Sequence, residues 1–247
     1  MKINNIIAFT EKIAPFDAAE EWDNVGLLVG DKNAEVSRVL LALDVTPEVV
    51  GEAKDVGAEL IVSHHPVIFS PLHTLRPGTA EYLLAKYDIA ALCLHTNLDR
   101  ALKGVNVALG KALGLKNTVF YPEDFLLIGE TENACDADTY AAIIKEKLHA
   151  PSVRYTEGSV SRVAVSSGGG GEGVALFEKY GFDAFVTGEL KHHHYLCARA
   201  CGIAAFDAGH FSTEDVVIAP LRDMLKTEFP ETEFFVSQKC ACPYKAV

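Results

Sequence analysis

A chain of 247 residues has room for one large domain or two halves of roughly 100–150 residues each. With 49% hydrophobic and 23% charged residues it can build an ordinary core without disulfides or a structural metal. A net charge of −12 with no cluster of Lys and Arg argues against nucleic acid as the main partner, since phosphate neutralisation needs grouped cations.

Taken in chain order, Lys2 to Pro15 reads as a helix, with Ile3, Ile6, Ile7 and Ile13 on one side. Gly26–Gly30 reads as a short buried strand and Val39–Asp44 as a second. Thr46-Pro47-Glu48 opens a helix with proline in its first turn, which runs to Val56 before Gly57. Leu60-Ile61-Val62 is the next strand and ends at Ser63-His64-His65-Pro66. Pro77–Tyr87 is a helix, and Ile89–Leu94 is a strand ending at His95. Strands alternating with helices imply a parallel sheet. Glu123–Glu157 is acidic and mixed in pattern, with one helix over Ala137–Leu148. Val160–Val165 and Ala184–Val186 have the length of sheet-core strands. The expected division is a first α/β half over 1–122, a short insertion or subdomain over 123–157, and a second α/β half over 158–247.

No apolar stretch reaches the ~20 residues a membrane span needs, and Met1–Thr10 has no cleavage pattern, so a cytoplasmic protein is expected. The six cysteines, Cys93, Cys135, Cys197, Cys201, Cys240 and Cys242, are scattered and without C-x-x-C spacing, and read as buried reduced thiols.

The second half repeats the first. Placing Gly181 on Gly57 aligns Arg162-Val163 with Arg38-Val39, and Asp183–Thr187 with Glu59–Ser63. Ile203–His210 then resembles Ile89–His95 with one residue inserted. His95 precedes Asp99 by four, as His210 precedes Glu214. Any two strand–helix–strand units look somewhat alike, but the matched strand endings favour a duplication. The fold expected is therefore α/β: two similar, pseudo-duplicated halves with mainly parallel sheets and a short insertion between them.

In an open parallel sheet, ligands bind beyond the carboxyl ends of the strands. His64-His65, His95 with Asp99, Glu189 with His192-His193-His194, and His210 with Glu214 each follow a strand, and they account for seven of the nine histidines. A lone histidine is usually a satisfied core or surface residue; four such strand ends are not explained that way. Imidazole with carboxylate suits Zn2+, Fe2+ or Mn2+. Consecutive side chains diverge, so His64 and His65 fit two ions better than one. Ser166-Ser-Gly-Gly-Gly-Gly-Glu172 follows a strand and opens a helix, where backbone N–H groups can receive an anion. Ser166, Gly168 and Gly169 are thus candidate substrate-binding residues, although a plain tight turn reads equally well. His192 and His193 are candidates for substrate contacts or for supporting the ligands. Asp23 and Asn24, in Trp22-Asp-Asn-Val-Gly26, fit an Asx turn or a ligand-orienting loop.

Together Trp22–Gly30, Ser63–Phe69, His95–Asp99, Thr187–His193 and Asp207–His210 through Glu214 resemble the dinuclear metal-centre proteins named GTP cyclohydrolase 1 type 2 homologues, in order and over essentially the whole chain. The resemblance is to the short bacterial form, because 123–157 is too short for the extra domain some members carry. It implies two divalent ions per subunit, Zn2+ or Fe2+ before Mn2+, on His64, His65, Asp99, His210 and Glu214, with His95 beside them. It also implies a homohexamer acting on a small molecule, such as a nucleotide.

Three function classes follow. The first is a two-metal hydrolase, with GTP cyclohydrolase chemistry foremost: water adds to C8 of guanine, the imidazole ring opens and formate leaves. His95 or His192 would move protons and Glu189 would orient one of these imidazoles. The second is another hydrolase, a phosphoesterase or peptidase, on the same metals. The third is a non-enzymatic metal carrier or oligomeric regulatory protein. A triphosphate meets an acidic protein here, with only Lys191 as a candidate cation beside the Ser166–Glu172 turn.

Overall fold

The computed structural model describes residues 1–246 and divides them into two compact units. The helices are α1 (Ile3–Ile13), α2 (Pro47–Val56), α3 (Ala80–Tyr87), α4 (Thr96–Asp99), α5 (Val105–Leu113), α6 (Ala137–Lys147), α7 (Phe177–Tyr180), α8 (His192–Cys201), α9 (His210–Glu214) and α10 (Ile218–Glu228). The strands are β1 (Gly26–Val29), β2 (Arg38–Ala42), β3 (Leu60–Ser63), β4 (Ala90–Cys93), β5 (Lys116–Tyr121), β6 (Leu126–Asp136), β7 (Arg154–Tyr155), β8 (Ser159–Ser166), β9 (Ala184–Thr187), β10 (Ala204–Asp207) and β11 (Glu233–Val236).

The first unit comprises Met1–Ala101 and Ile218–Ala241. Its sheet runs β1-β4-β3-β2-β11. The pairs β4–β3, β3–β2 and β2–β11 are parallel, and β1 is an antiparallel edge strand, half buried where a buried strand is expected. Helix α2 forms where the sequence places it: Thr46 caps it by accepting the Val49 N–H at 3.3 Å, Pro47 opens it and Gly57 closes it. Its buried Val49, Val50 and Ala53 pack with Leu84 of α3 on Leu40, Ile61 and Ala91. Each Val, Leu or Ile side chain among them, withdrawn from water, contributes about 1.5–3 kcal/mol. Helix α3 begins at Ala80 rather than Pro77, because Thr79 supplies the cap, accepting the Tyr82 N–H at 3.4 Å.

The second unit spans Leu102–Val217 with the terminal residues from Cys242. Its sheet runs β5-β6-β8-β9-β10-β7. The central β8–β9–β10 set is parallel and the flanking pairs are antiparallel. Side chains alternate along β8: Val163 and Val165 enter one core with Leu109, Ile144 and Phe206, and Ala164 enters the opposite core with Ile128, Val174 and Phe185. Residues 123–157, which composition sets apart, supply β6, α6 and β7 and so form part of this sheet. The last 30 residues of 158–247 include α10 and β11, which belong to the first unit's layers.

The duplication is visible inside the two units. Val39 pairs with Leu60 and Leu60 with Ala90; Val163 pairs with Ala184 and Ala184 with Ala204. Glu59 accepts the N–H groups of Ser37 and Arg38 at 3.1 and 2.8 Å, and Asp183 accepts those of Ser161 and Arg162 at 2.9 and 3.0 Å. No helix among the described residues is long and apolar enough to cross a membrane. All six cysteines are free, but only Cys93 is buried.

Candidate metal centre

In the first unit the donors stand where β3 and β4 end. His64 is fully buried, and its Nδ1 lies 2.8 Å from the Leu94 carbonyl. His65 Nδ1 lies 2.7 Å from Asp44 Oδ1, and His95 Nδ1 lies 2.8 Å from Asp23 Oδ1. Each acceptor is an oxygen, so each Nδ1 carries the proton and each Nε2 keeps its lone pair; the tautomers follow from these partners. The three imidazoles offer nitrogens within 4.8 Å of one another. Their centroids are 5.1 to 5.6 Å apart. Asp99, at the end of α4, brings Oδ1 to 3.7 Å from His64 Nε2.

Asp23 is the firmest anchor of this group. Its side chain is fully buried, and burial alone would raise its pKa, but hydrogen bonds from His95 and from Thr96 hold it far below the usual carboxylate range. Its Oδ2 accepts the Thr96 N–H at 3.0 Å and the Thr96 hydroxyl at 2.5 Å.

In the second unit, His210 opens α9 and Glu214 ends it. His210 Nδ1 is 2.7 Å from Glu189 Oε1, and its Nε2 is 3.0 Å from Glu214 Oε2. An imidazole between two carboxylates carries either a proton or a metal on Nε2. Glu189 therefore orients His210, where the sequence suggests His95 or His192 as its partner. Gly188-Glu189 follow β9 as His64-His65 follow β3. A side chain at Gly188 would lie 2.7 Å from the Gly168 carbonyl, the His210 Cα and the Thr213 hydroxyl, so no histidine fits there.

Of the two readings its sequence allows, the Ser166–Glu172 turn is closer to a plain tight turn than to an anion cradle. The Ser167 N–H donates to Asn106 Oδ1 at 2.8 Å, that of Gly168 to the Thr213 hydroxyl at 3.1 Å, and that of Gly170 to the Ser167 carbonyl at 3.1 Å. Ser166 is buried at the end of β8, and Gly169 has open space beside it. Gly168 has φ +55° and presses against Glu214; a Cβ there would overlap the carboxylate. The turn thus shapes the acid's surroundings.

The histidine triplet separates by position. His192 and His193 are exposed at the start of α8. His194 is buried and accepts the Lys191 N–H on Nδ1 at 3.2 Å, so its proton sits on Nε2, 3.3 Å from Glu172. Glu172, His193 and His194 form a further group with metal-binding spacing, but His194 points a proton, not a lone pair, at Glu172. Asp44 is the residue whose role pattern alone does not single out; Asp23, in a loop that fits an Asx turn or an orienting role, orients His95. Asp44 follows β2, so the strand-end rule that marks the histidines reaches it as well.

Fold and donors define the class: an α/β protein whose buried His, Asp and Glu side chains could hold metal ions. Residues 1–243 match the family described as Duf34/NIF3 (NGG1p interacting factor 3), and the chain belongs to that family. It is 33% identical to a Clostridium perfringens protein named GTP cyclohydrolase 1 type 2 homolog, covering 100% of both chains. A Campylobacter jejuni protein of the same name is 32% identical over 87% of this chain and 88% of its own. The crystal structure of a hypothetical protein of Staphylococcus aureus superposes with a TM-score of 0.93 at 31% identity, over 100% of this chain and 99% of the other.

Proposed function

We propose that this protein is a metal-dependent hydrolase, with His64, His65, Asp99, His210 and Glu214 as ligands of two divalent ions, Zn2+ or Fe2+ before Mn2+. The observation that carries the reading is the shared orientation of four imidazoles. In His64, His65, His95 and His210 an oxygen acceptor takes the Nδ1 proton, three times a carboxylate, and leaves Nε2 its lone pair, for a metal in His64, His65 and His210 and for a proton in His95. The fixed orientation supports metal binding and meets the precision a catalyst requires of its site. The ions, when bound, supply a water whose pKa falls to about 7. His95 can accept a proton on Nε2 while Asp23 stabilises the imidazolium, the pairing general-base catalysis uses. His192, exposed beside Lys191, is a second proton carrier.

GTP cyclohydrolase chemistry is the first reaction to test, because the relatives above carry that name. A second reading, a hydrolase of a less anionic substrate, is favoured by the turn at Ser166–Glu172, three of whose N–H groups are already bonded within the protein. His193, Gly168 and Gly169 keep their proposed place at the substrate's edge under either reading. Assembly as a cytoplasmic homohexamer belongs to the same proposal, and sedimentation showing a monomer at micromolar concentration would refute it.

The experiment is metal analysis of protein purified without added metal, followed by formate release from GTP with Zn2+, Fe2+ or Mn2+. Two ions per chain are expected, with occupancy lost in His65→Ala and Asp99→Ala. Full occupancy in both variants would end the metal assignment. No formate above the metal-free control would end the cyclohydrolase reading and leave phosphoester and peptide substrates to be screened.

A further inference from the structure

Beside the imidazoles of the first unit stands an aromatic pair that metal chemistry does not use. Trp22 is 59% exposed and Phe69 53% exposed. Their centroids are 5.9 Å apart and their planes are tilted by 47°. Both rings lie edge-on to His95, Trp22 at 6.2 Å and 78°, Phe69 at 6.5 Å and 82°.

The pair is held in place from both sides. Asn24 Nδ2 donates to the Ile68 carbonyl at 2.6 Å, tying the Trp22 loop to the loop that carries Phe69. Asp23, between Trp22 and Asn24, grips His95 and Thr96. The Glu20 N–H donates to the Thr96 hydroxyl at 3.0 Å, fixing the chain on the other side of Trp22. In Trp22-Asp23-Asn24, then, Asp23 orients an imidazole and Asn24 secures the neighbouring loop, while Trp22 touches Phe69 and His95 and keeps more than half of its surface in water. Two large rings kept in water by a fixed backbone lose little further freedom when a ligand arrives.

We propose that Trp22 and Phe69 form a stacking platform for a planar heteroaromatic ring and so select the ligand. An indole face stacks well on a flat ring. The His95 imidazole, edge-on to both rings, suits a ring with polar edges rather than a hydrocarbon. The hydrolase reading bears only on which bond of that ligand faces His95; the platform stands on the ring geometry.

Trp22 is the sole tryptophan, so its fluorescence reports directly on the platform. Guanosine, adenosine and nicotinamide serve as ring probes, with ribose 5-phosphate and inorganic triphosphate as ring-free controls, on metal-loaded and chelator-treated protein. Saturable quenching by a ring probe and none by the ring-free compounds is expected. Phe69→Leu keeps the reporter and should weaken binding by about tenfold or more. By calorimetry, Trp22→Ala should lose binding and Trp22→Phe should restore most of it. Absence of quenching by every ring probe on metal-loaded protein overturns the proposal, as do unchanged affinities in Phe69→Leu and Trp22→Ala. So does shielding of Trp22 from acrylamide that grows with protein concentration in the absence of ligand, because a second copy would then cover the pair. Ring-probe quenching in a protein that binds no metal would sink the hydrolase reading and leave the platform standing.

Discussion

Replacing Asp44 by alanine isolates the idea that a carboxylate behind an imidazole tunes the metal. Asp44 meets His65 through one hydrogen bond, Nδ1 to Oδ1 at 2.7 Å. Removing it leaves His65 in place but takes away the acceptor that fixes its Nδ1 proton. A hydrogen bond to a charged group contributes about 1.5–3 kcal/mol, and loss of such an outer partner typically weakens metal binding about 10–100-fold. The Asp44 side chain is 35% exposed, so water replaces part of the interaction. The lower end is therefore expected, about tenfold or about 1.4 kcal/mol. Competition for Zn2+ with a chelator of known affinity measures it, with urea unfolding of the metal-free protein as control. Stability should change by about 1 kcal/mol or less, as for an exposed pair. Unchanged Zn2+ affinity in Asp44→Ala, beside a large loss in His65→Ala, would refute the reasoning. Fully buried Asp23 should show the opposite balance, with Asp23→Ala lowering stability as well, since Thr96 and His95 lose their acceptor together.

Gly168→Ala puts a side chain at φ +55° against Glu214 and should cost about 1–3 kcal/mol of stability; a variant as stable as wild type in urea melts would show that the turn yields. His194→Ala should keep its full metal content while losing about 0.5–2 kcal/mol, because His194 caps a helix; metal loss would make it a ligand. Glu59→Gln tests the strand cap through pH. Burial raises the Glu59 carboxyl, but hydrogen bonds from Arg38 and Ser37 outweigh it and hold the pKa below 4.5. A lowered folded pKa means stability that is complete above 4.5 and lost as pH falls through the folded value. The gap between wild type and Glu59→Gln, about 1 kcal/mol at neutral pH, should close in acid; a widening gap would reverse the sign.

The donors are legible in the sequence because they sit at strand ends, and strand ends are marked by apolar runs that stop abruptly: Leu60-Ile61-Val62 before His64, Ala204-Ala205-Phe206 before His210. The duplication is legible for the same reason, since paired strands must keep their register for each core to close. Three things are hidden. β6 is hidden because only its first four residues, Leu126–Gly129, are buried; from Glu130 on it is polar and partly exposed, so no apolar run announces it. The role of His194 is hidden because only its backbone partner decides which ring nitrogen holds the proton. The return of Glu233–Val236 to Arg38–Leu41 is hidden because pairing across so many residues leaves no local trace.

That return strand has a consequence for biosynthesis. The first unit holds His64, His65 and Asp99, yet its sheet is completed only when β11 has left the ribosome and paired with β2. Translation from Ala101 to Ala241 takes roughly 7–28 s at about 5–20 residues per second. Throughout that interval β2 is an open, apolar edge, while nearly all of the second unit is synthesised within it. A nascent chain stalled between these points presents Val39–Leu41 to any strand or chaperone within reach. The polypeptide thus spends its most aggregation-prone period with at least three of the five proposed metal ligands already translated and the strand that closes the first unit's sheet still to come.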